Sequence, residues 1–196
     1  GLPAPERLTL QQASVIGSVF WDRALIALDA KAKDSLPALV HRELALPRAE
    51  FDHDDLREYA FKHQILHQVT YATVLKRTRR DLHGKLAHWL AAQTGLRAND
   101  FLGAAAEHFE QAGDETNAAE YHTRAAEHAR TRMAHEAVLV HVRLALALLD
   151  GKPAANTRRL QWRLLEVREA TLDMQGDRAG QRADIDAMAE WAEVQD

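Results

Sequence analysis

Apolar residues along this chain recur mostly every three to four positions, the period of helices packed on one face, and shift to every second position in two short places. Leu10, Ala13 and Ile16 make a first stripe that stops at Gly17. Phe20, Ala24, Leu25 and Leu28 make a second, and Leu36, Leu39 and Val40 a third. Leu44 and Leu46 then alternate with polar or small neighbours before Pro47, as do Tyr59 and Phe61. The polar run Phe51-Asp52-His53-Asp54-Asp55 between them predicts the turn of a two-stranded hairpin. A helix is expected next from about Gln64 to Leu75, with Ile65, Leu66, Val69 and Ala72 on one face. Another is expected from about Arg79 to Ala92, with Leu82, Leu86, Trp89 and Leu90 on its face.

From Phe101 onward the period is helical throughout, in pieces of about 12 to 18 residues joined by short turns, the pattern of antiparallel helical hairpins stacked in an α-solenoid. The clearest unit runs from Leu102 to Ala129. With Gly113 at the turn, Leu102, Ala105, Ala106 and Phe109 fall where a tetratricopeptide repeat places the packing residues of its first helix. Ala118 and Ala125 fall where its second helix needs small ones, because close helix contact requires short side chains, and Tyr121 stands one residue early for that repeat's usual aromatic. A helix from about Met133 to Leu149 is predicted to bury Ala137, Val140, Leu144 and Leu148, and Asp150-Gly151-Lys152-Pro153 stops it. A last pair carries Leu160, Leu164, Val167 and Met174, then Gly176-Asp177, then Ile185, Met188, Ala189 and Ala192. The two Gly-Asp turns lie 63 residues apart, short of two 34-residue units, so the array is degenerate. The expected fold is mainly α. Residues 1–95 form a small winged-helix-like domain of helices and a short β-hairpin with trailing helices, and residues 96–196 form a solenoid of tetratricopeptide-like hairpins.

Composition narrows the function. Residues 1–95 carry 13 Lys and Arg against 11 Asp and Glu, and residues 96–196 carry 12 against 18, so the second half repels nucleic acid. No apolar run approaches the roughly 18 residues of a membrane helix, no signal-peptide pattern opens the chain, and a cytoplasmic location with no membrane contact is expected. The absence of cysteine rules out disulfides and thiolate chemistry. The opening without Met, directly on a helix pattern, suggests a segment of a longer protein.

Several motifs together carry a family resemblance: Leu10-Gln11-Gln12-Ala13-Ser14-Val15-Ile16-Gly17, Phe20-Trp21, Tyr59-Ala60-Phe61-Lys62-His63, Tyr71, Leu75-Lys76-Arg77 and Leu82-His83. In this order they resemble the segment that follows the NTPase core in bacterial signal-transduction NTPases with numerous domains, the STAND class, some of them fused to adenylate or guanylate cyclases and others to transcription-factor modules. Ala112-Gly113-Asp114 and Ala118-Ala119-Glu120-Tyr121 resemble the tetratricopeptide helices that follow there. The resemblance implies a winged-helix lid over a nucleotide held by a P-loop core, and helical repeats that sense a protein or small-molecule inducer. It implies ATP or ADP and Mg for the parent and the upstream NTPase domain as partner. This chain has no G-x-x-x-x-G-K-[ST] sequence, so it is expected to bind no cofactor alone and to be no enzyme. In related lids a Met-His-Asp motif sets its His against the ADP phosphates. Phe61-Lys62-His63-Gln64 resembles it, which makes His63 and Lys62 the candidate phosphate contacts, while Gln64 replaces the Asp.

Other constellations read as structural. His63 and His67 have the i,i+4 spacing of two metal ligands but no third ligand in sequence, and no metal site is expected. Lys76-Arg77-Thr78-Arg79-Arg80 reads as a solvated helix start rather than a phosphate contact. Asp54-Asp55, and Glu50 with Asp52, read as turn chemistry, no serine sits in a nucleophile elbow, and Trp21, Trp89, Trp162 and Trp191 read as packing. No catalytic residue is expected. The alternative is a DNA-binding winged-helix regulator with oligomerising repeats, against which the third helix, Leu36 to Glu43, offers only His41 and Arg42 as cations.

Overall fold

The computed structural model describes residues 1–48, 56–93 and 98–193. The chain divides into two compact units, residues 1–92 and 93–196. Among the described residues the fold is mainly helical, with one small antiparallel sheet, and no helix is long and apolar enough to cross a membrane.

The first unit runs α1 (Ala4–Ile16), β1 (Val19–Trp21), α2 (Asp22–Leu28), α3 (Ala32–His41), β2 (Ala45–Pro47), β3 (Glu58–Phe61), α4 (Gln64–Thr73) and α5 (Lys76–Ala91). Pro5 sits in the first turn of α1, where its missing N–H costs nothing. Gly17 follows that helix at φ +157°, a conformation with no room for a side chain, since a Cβ would lie 2.9 Å from the Val19 carbonyl oxygen. α1 is the hub of the unit and packs on α2, α3, α4 and α5, burying Leu10, Ala13, Val15 and Ile16.

The sheet has three strands in the order β1-β3-β2, not the two of the expected hairpin. Phe20 accordingly leaves the second helical stripe and becomes the centre of β1, opposite Tyr59 of β3. The cause is local. Gly17 breaks the helix, Val-Phe-Trp favours extended backbone, and fully buried Phe20 stacks on Tyr59 and meets Phe61 edge-on at ring distances of 5.8 and 5.7 Å. β2 holds the other edge of β3, with Ala45 opposite Phe61. The expected turn at 51–55, with its acidic pairs, lies outside the described residues.

The second unit opens with a 3₁₀ turn (Ala98–Phe101), followed by α6 (Leu102–Ala112), α7 (Glu115–Thr131), α8 (His135–Leu149), α9 (Ala154–Gln175) and α10 (Arg178–Glu193). Each helix packs on the next, and α7 also touches α9. The two Gly-Asp turns are built alike. Gly113 and Gly176 both take φ +77°, and the following Asp N–H bonds back to Phe109 and Leu172 carbonyls at 2.9 Å. Each Asp then caps the next helix, Asp114 accepting from the Asn117 N–H and Asp177 from the Gly180 N–H. The turn before α8 uses the same geometry with Met133 at φ +58° and the Ala134 N–H bonded to Ala129.

Leu102, Ala105, Ala106, Phe109, Ala118 and Ala125 are buried as expected. Three faces differ. α8 starts at His135 and buries Val138, Val142, Ala145 and Leu149, one step round from the expected stripe, leaving Val140 exposed. On α4 the stripe Ile65, Val69 and Ala72 points to solvent, because polar ties turn the opposite face to α1: His67 Nε2 donates to the Ser14 carbonyl and Gln11 to the Thr73 hydroxyl, both at 3.0 Å. On α10, Ile185, Ala189 and Ala192 are exposed rather than buried. Trp21, Trp89 and Trp162 are half-buried.

Candidate functional site

The expected phosphate contacts sit where β3 hands over to α4. Phe61 ends the strand inside the core, and Lys62 N–H still bonds to the Leu44 carbonyl at 3.2 Å, so the backbone at this junction is held by both neighbours. His63 is the residue that precedes α4. Its backbone is extended, its side chain is exposed and makes no capping bond, and the first turn of the helix holds no acid. The helix N-terminus therefore carries an uncompensated positive end beside an imidazole. Lys62 is exposed too, but its ammonium is paired with Glu43, whose carboxyl is held below its ordinary range by that bond. Glu43 is placed there by the left-handed turn that ends α3, at φ +55°. An anion at Lys62 has to compete with this carboxylate, a feature that the motif alone does not reveal. Gln64 is exposed at the first position of α4.

His63 and His67 do not act as a pair. His67 Nε2 is spent on the Ser14 carbonyl, closing the last turn of α1, and its ring lies edge-on to Phe61 at 5.2 Å. Among the described residues no group of three His, Cys, Asp or Glu side chains is placed to hold a metal. From His67 a ladder continues through Tyr71, whose hydroxyl shares a 3.1 Å hydrogen bond with His83 Nε2 and whose ring carries the Arg79 guanidinium at 4.7 Å. Burial, with Arg79 nearby, pushes His83 down to about pKa 4, so it stays neutral and ties α5 to α4. Lys76, Arg77 and Arg80 are exposed at the start of α5, as the solvated-start reading expects. Arg42 pairs with Glu6 at 2.8 Å, and because the third helix starts at Ala32, earlier than expected, it also carries exposed Lys33.

The second unit holds a groove of about 1110 Å³ between α7, α9 and α10. Its apolar side is Val167 of α9 with Ile185, Met188 and Ala189 of α10, positions that the pattern assigns to a core. Its polar side centres on Arg163, which donates two bonds of 2.8 Å to Glu127 and two of 3.1 Å to Glu120. These carboxylates hold the guanidinium in its charged form, and the fork fixes its direction. No periodicity announces this cluster, because its members lie 36 and 43 residues apart and meet only when α9 packs on α7.

A second polar contact between helices was also silent in the sequence. His122 of α7 is fully buried, with its Nδ1 3.0 Å from Nδ1 of His141 on α8. Two facing nitrogens can bond only if one carries the proton and the other its lone pair, so at most one of the two rings is charged. Burial lowers His122 to about pKa 4 and lowers His141 as well. This pair serves as a lock between helices.

Comparison of the chain with protein-family models, with characterised proteins and with solved structures finds no match in any of the three.

Proposed function

We propose that this chain is a non-catalytic regulatory and protein-interaction module of a larger signal-transduction NTPase of the STAND class. In this reading the first unit is a winged-helix lid on a nucleotide-binding core, and the second is a tetratricopeptide-like array that senses a protein or small-molecule inducer. ATP or ADP, with Mg, belongs to the parent and not to this chain.

The observation that carries the reading is the open groove of the second unit, with an apolar side of Ile185 and Met188 facing a rigidly held Arg163. Grooves of mixed character between stacked helices suit recognition of a partner segment. The repeated Gly-Asp turn supports the tetratricopeptide comparison, since Gly113-Asp114 and Gly176-Asp177 join their helices in the same way. Support for the lid comes from α1, α2 and α3 together with the three-stranded antiparallel sheet of the first unit, and from exposed His63 at the acid-free start of α4.

The test is calorimetric titration of the chain against the separately expressed NTPase segment of its parent, with Mg-ADP and without nucleotide. Tighter binding with ADP, reduced in His63→Ala, is the expected result. Equal binding in both conditions, or full ADP dependence in His63→Ala, refutes the lid reading.

A further inference from the structure

The α4–α5 corner of the first unit combines two features that the lid reading does not use. Ile65, Val69 and Leu75 are 70%, 59% and 75% exposed, and Ala72 is exposed between them. Ile65, Val69 and Ala72 are spaced i, i+4, i+7, so they form one seam about 10 Å long on the face of α4 opposite α1. Leu75 carries the seam to the start of α5, where Lys76, Arg77 and Arg80 stand exposed.

Charge at this corner is predominantly positive. Lys76, Arg77, Arg79 and Arg80 put four cations at the start of α5, with Asp81 the first acid after them, although the whole chain is net negative. The cations lie at the N-terminal end of α5, which is the positive end of its dipole. No acid stands in that first turn and no side chain caps it. Lys76 also repels Arg79, its i+3 neighbour. The arrangement works against the stability of α5, and a carboxylate brought by a partner would turn it into an attraction.

We propose that this corner docks an amphipathic helix of a partner protein whose aliphatic seam is flanked by Asp or Glu. The seam has the spacing of a helix-on-helix contact, and the basic cluster at its end selects acidic flanks and sets the partner's direction. A bilayer is a poorer match, because the seam spans only two turns, holds no aromatic, and is bordered by Gln64, Gln68 and Thr73. Nucleic acid is poorer still, since it has no use for the aliphatic side chains. This docking is independent of the lid reading and holds whether or not a nucleotide-binding core adjoins the chain.

The probes are two synthetic 18-residue helical peptides with the same Leu seam, one flanked by Glu and one by Lys, together with vesicles of phosphatidylcholine and 30% phosphatidylserine and a 20-nucleotide single-stranded RNA. Binding to the 196-residue chain is followed residue by residue by NMR. The Glu-flanked peptide is expected to bind at least tenfold more tightly than the Lys-flanked one, to shift Ile65, Val69, Ala72 and Lys76, and to weaken with salt. Val69→Glu should reduce binding at least tenfold.

Lys76→Glu separates docking from folding. It should weaken the Glu-flanked peptide at least threefold while raising Tm by about 2–5 °C, because the new acid suits the helix dipole. Equal binding of the two peptides, shifts confined to other surfaces, or a preference for vesicles or RNA over the Glu-flanked peptide overturns the proposal.

Discussion

Acid should loosen the second unit through His122, and the size of the effect comes from its burial. The ring has no exposed surface, its Nδ1 is used by His141, and its Nε2 lies 3.5 Å from Glu110 Oε1 without a hydrogen bond. Its pKa falls to about 4 in the fold, against about 6.5 in the unfolded chain. The unfolded chain therefore binds the proton first. Stability is full well above pH 6.5 and is lost as pH falls towards 4, with a loss of about 2–3 kcal/mol by pH 4.5 from this one group. His141 is lowered too and adds in the same direction. Glu107 opposes weakly, since burial and Glu110 raise its pKa and the fold takes up that proton more readily. The assay is urea unfolding at pH 7.5, 6.5, 5.5 and 4.5 in a Trp21→Phe/Trp89→Phe background, which makes half-buried Trp162 the reporter on the second unit. His122→Leu fills a similar volume without a titrating group, and half-buried His141 can then turn to water. The measured quantity is the slope of stability with pH, which should flatten by most of that loss. An unchanged slope in His122→Leu, or an NMR titration placing folded His122 near 6.5, refutes the reasoning.

Three further outcomes are expected. Gly17→Ala should cost about 1–3 kcal/mol in chemical denaturation of the first unit, because the new Cβ meets the Val19 carbonyl oxygen at 2.9 Å where only backbone can yield. Gly176→Ala should cost about 1 kcal/mol, all of it backbone strain at φ +77°, since nothing lies within 4 Å of the added methyl; an unchanged denaturant midpoint would show that the turn has relaxed. Arg163→Met should lower stability by about 1–2 kcal/mol at 50 mM salt and by less at 1 M, because Glu120 and Glu127 are then left facing each other partly in solvent. Thermal unfolding at the two salt concentrations measures this, and a salt-independent loss would point to packing instead.

Much of the helical layout was legible because local rules set it. Gly17, Gly113 and Gly176 mark helix ends from sequence, since a left-handed or crowded backbone admits little else, and Asp114 and Asp177 announce the next helix by their capping oxygen. Small residues at Ala105, Ala106, Ala118 and Ala125 likewise foretold close packing between α6 and α7. His63 and Lys62 could be named from their motif, but the carboxylate that holds Lys62 could not. Glu43 reaches it only because α3 ends in a left-handed turn at a non-glycine residue.

Periodicity identifies an apolar face without saying what covers it. Ile65, Val69 and Ile185 carry the same signal as Leu10 or Leu86, yet they lie in solvent, because burial depends on whether another helix arrives at that face. Phe20 illustrates the same limit in the sheet, where a residue spaced like a helical neighbour became a strand centre once β3 offered it two rings and a ladder. The Arg163 fork and the His122–His141 pair belong wholly to tertiary structure. Their members are distant in sequence, and their charge states depend on the desolvation and partners that helix packing creates. The sequence by itself thus determined where helices begin, end and turn, which are contacts among near neighbours. The long-range packing decided which faces are buried, which charges are held and which surfaces remain open for a partner.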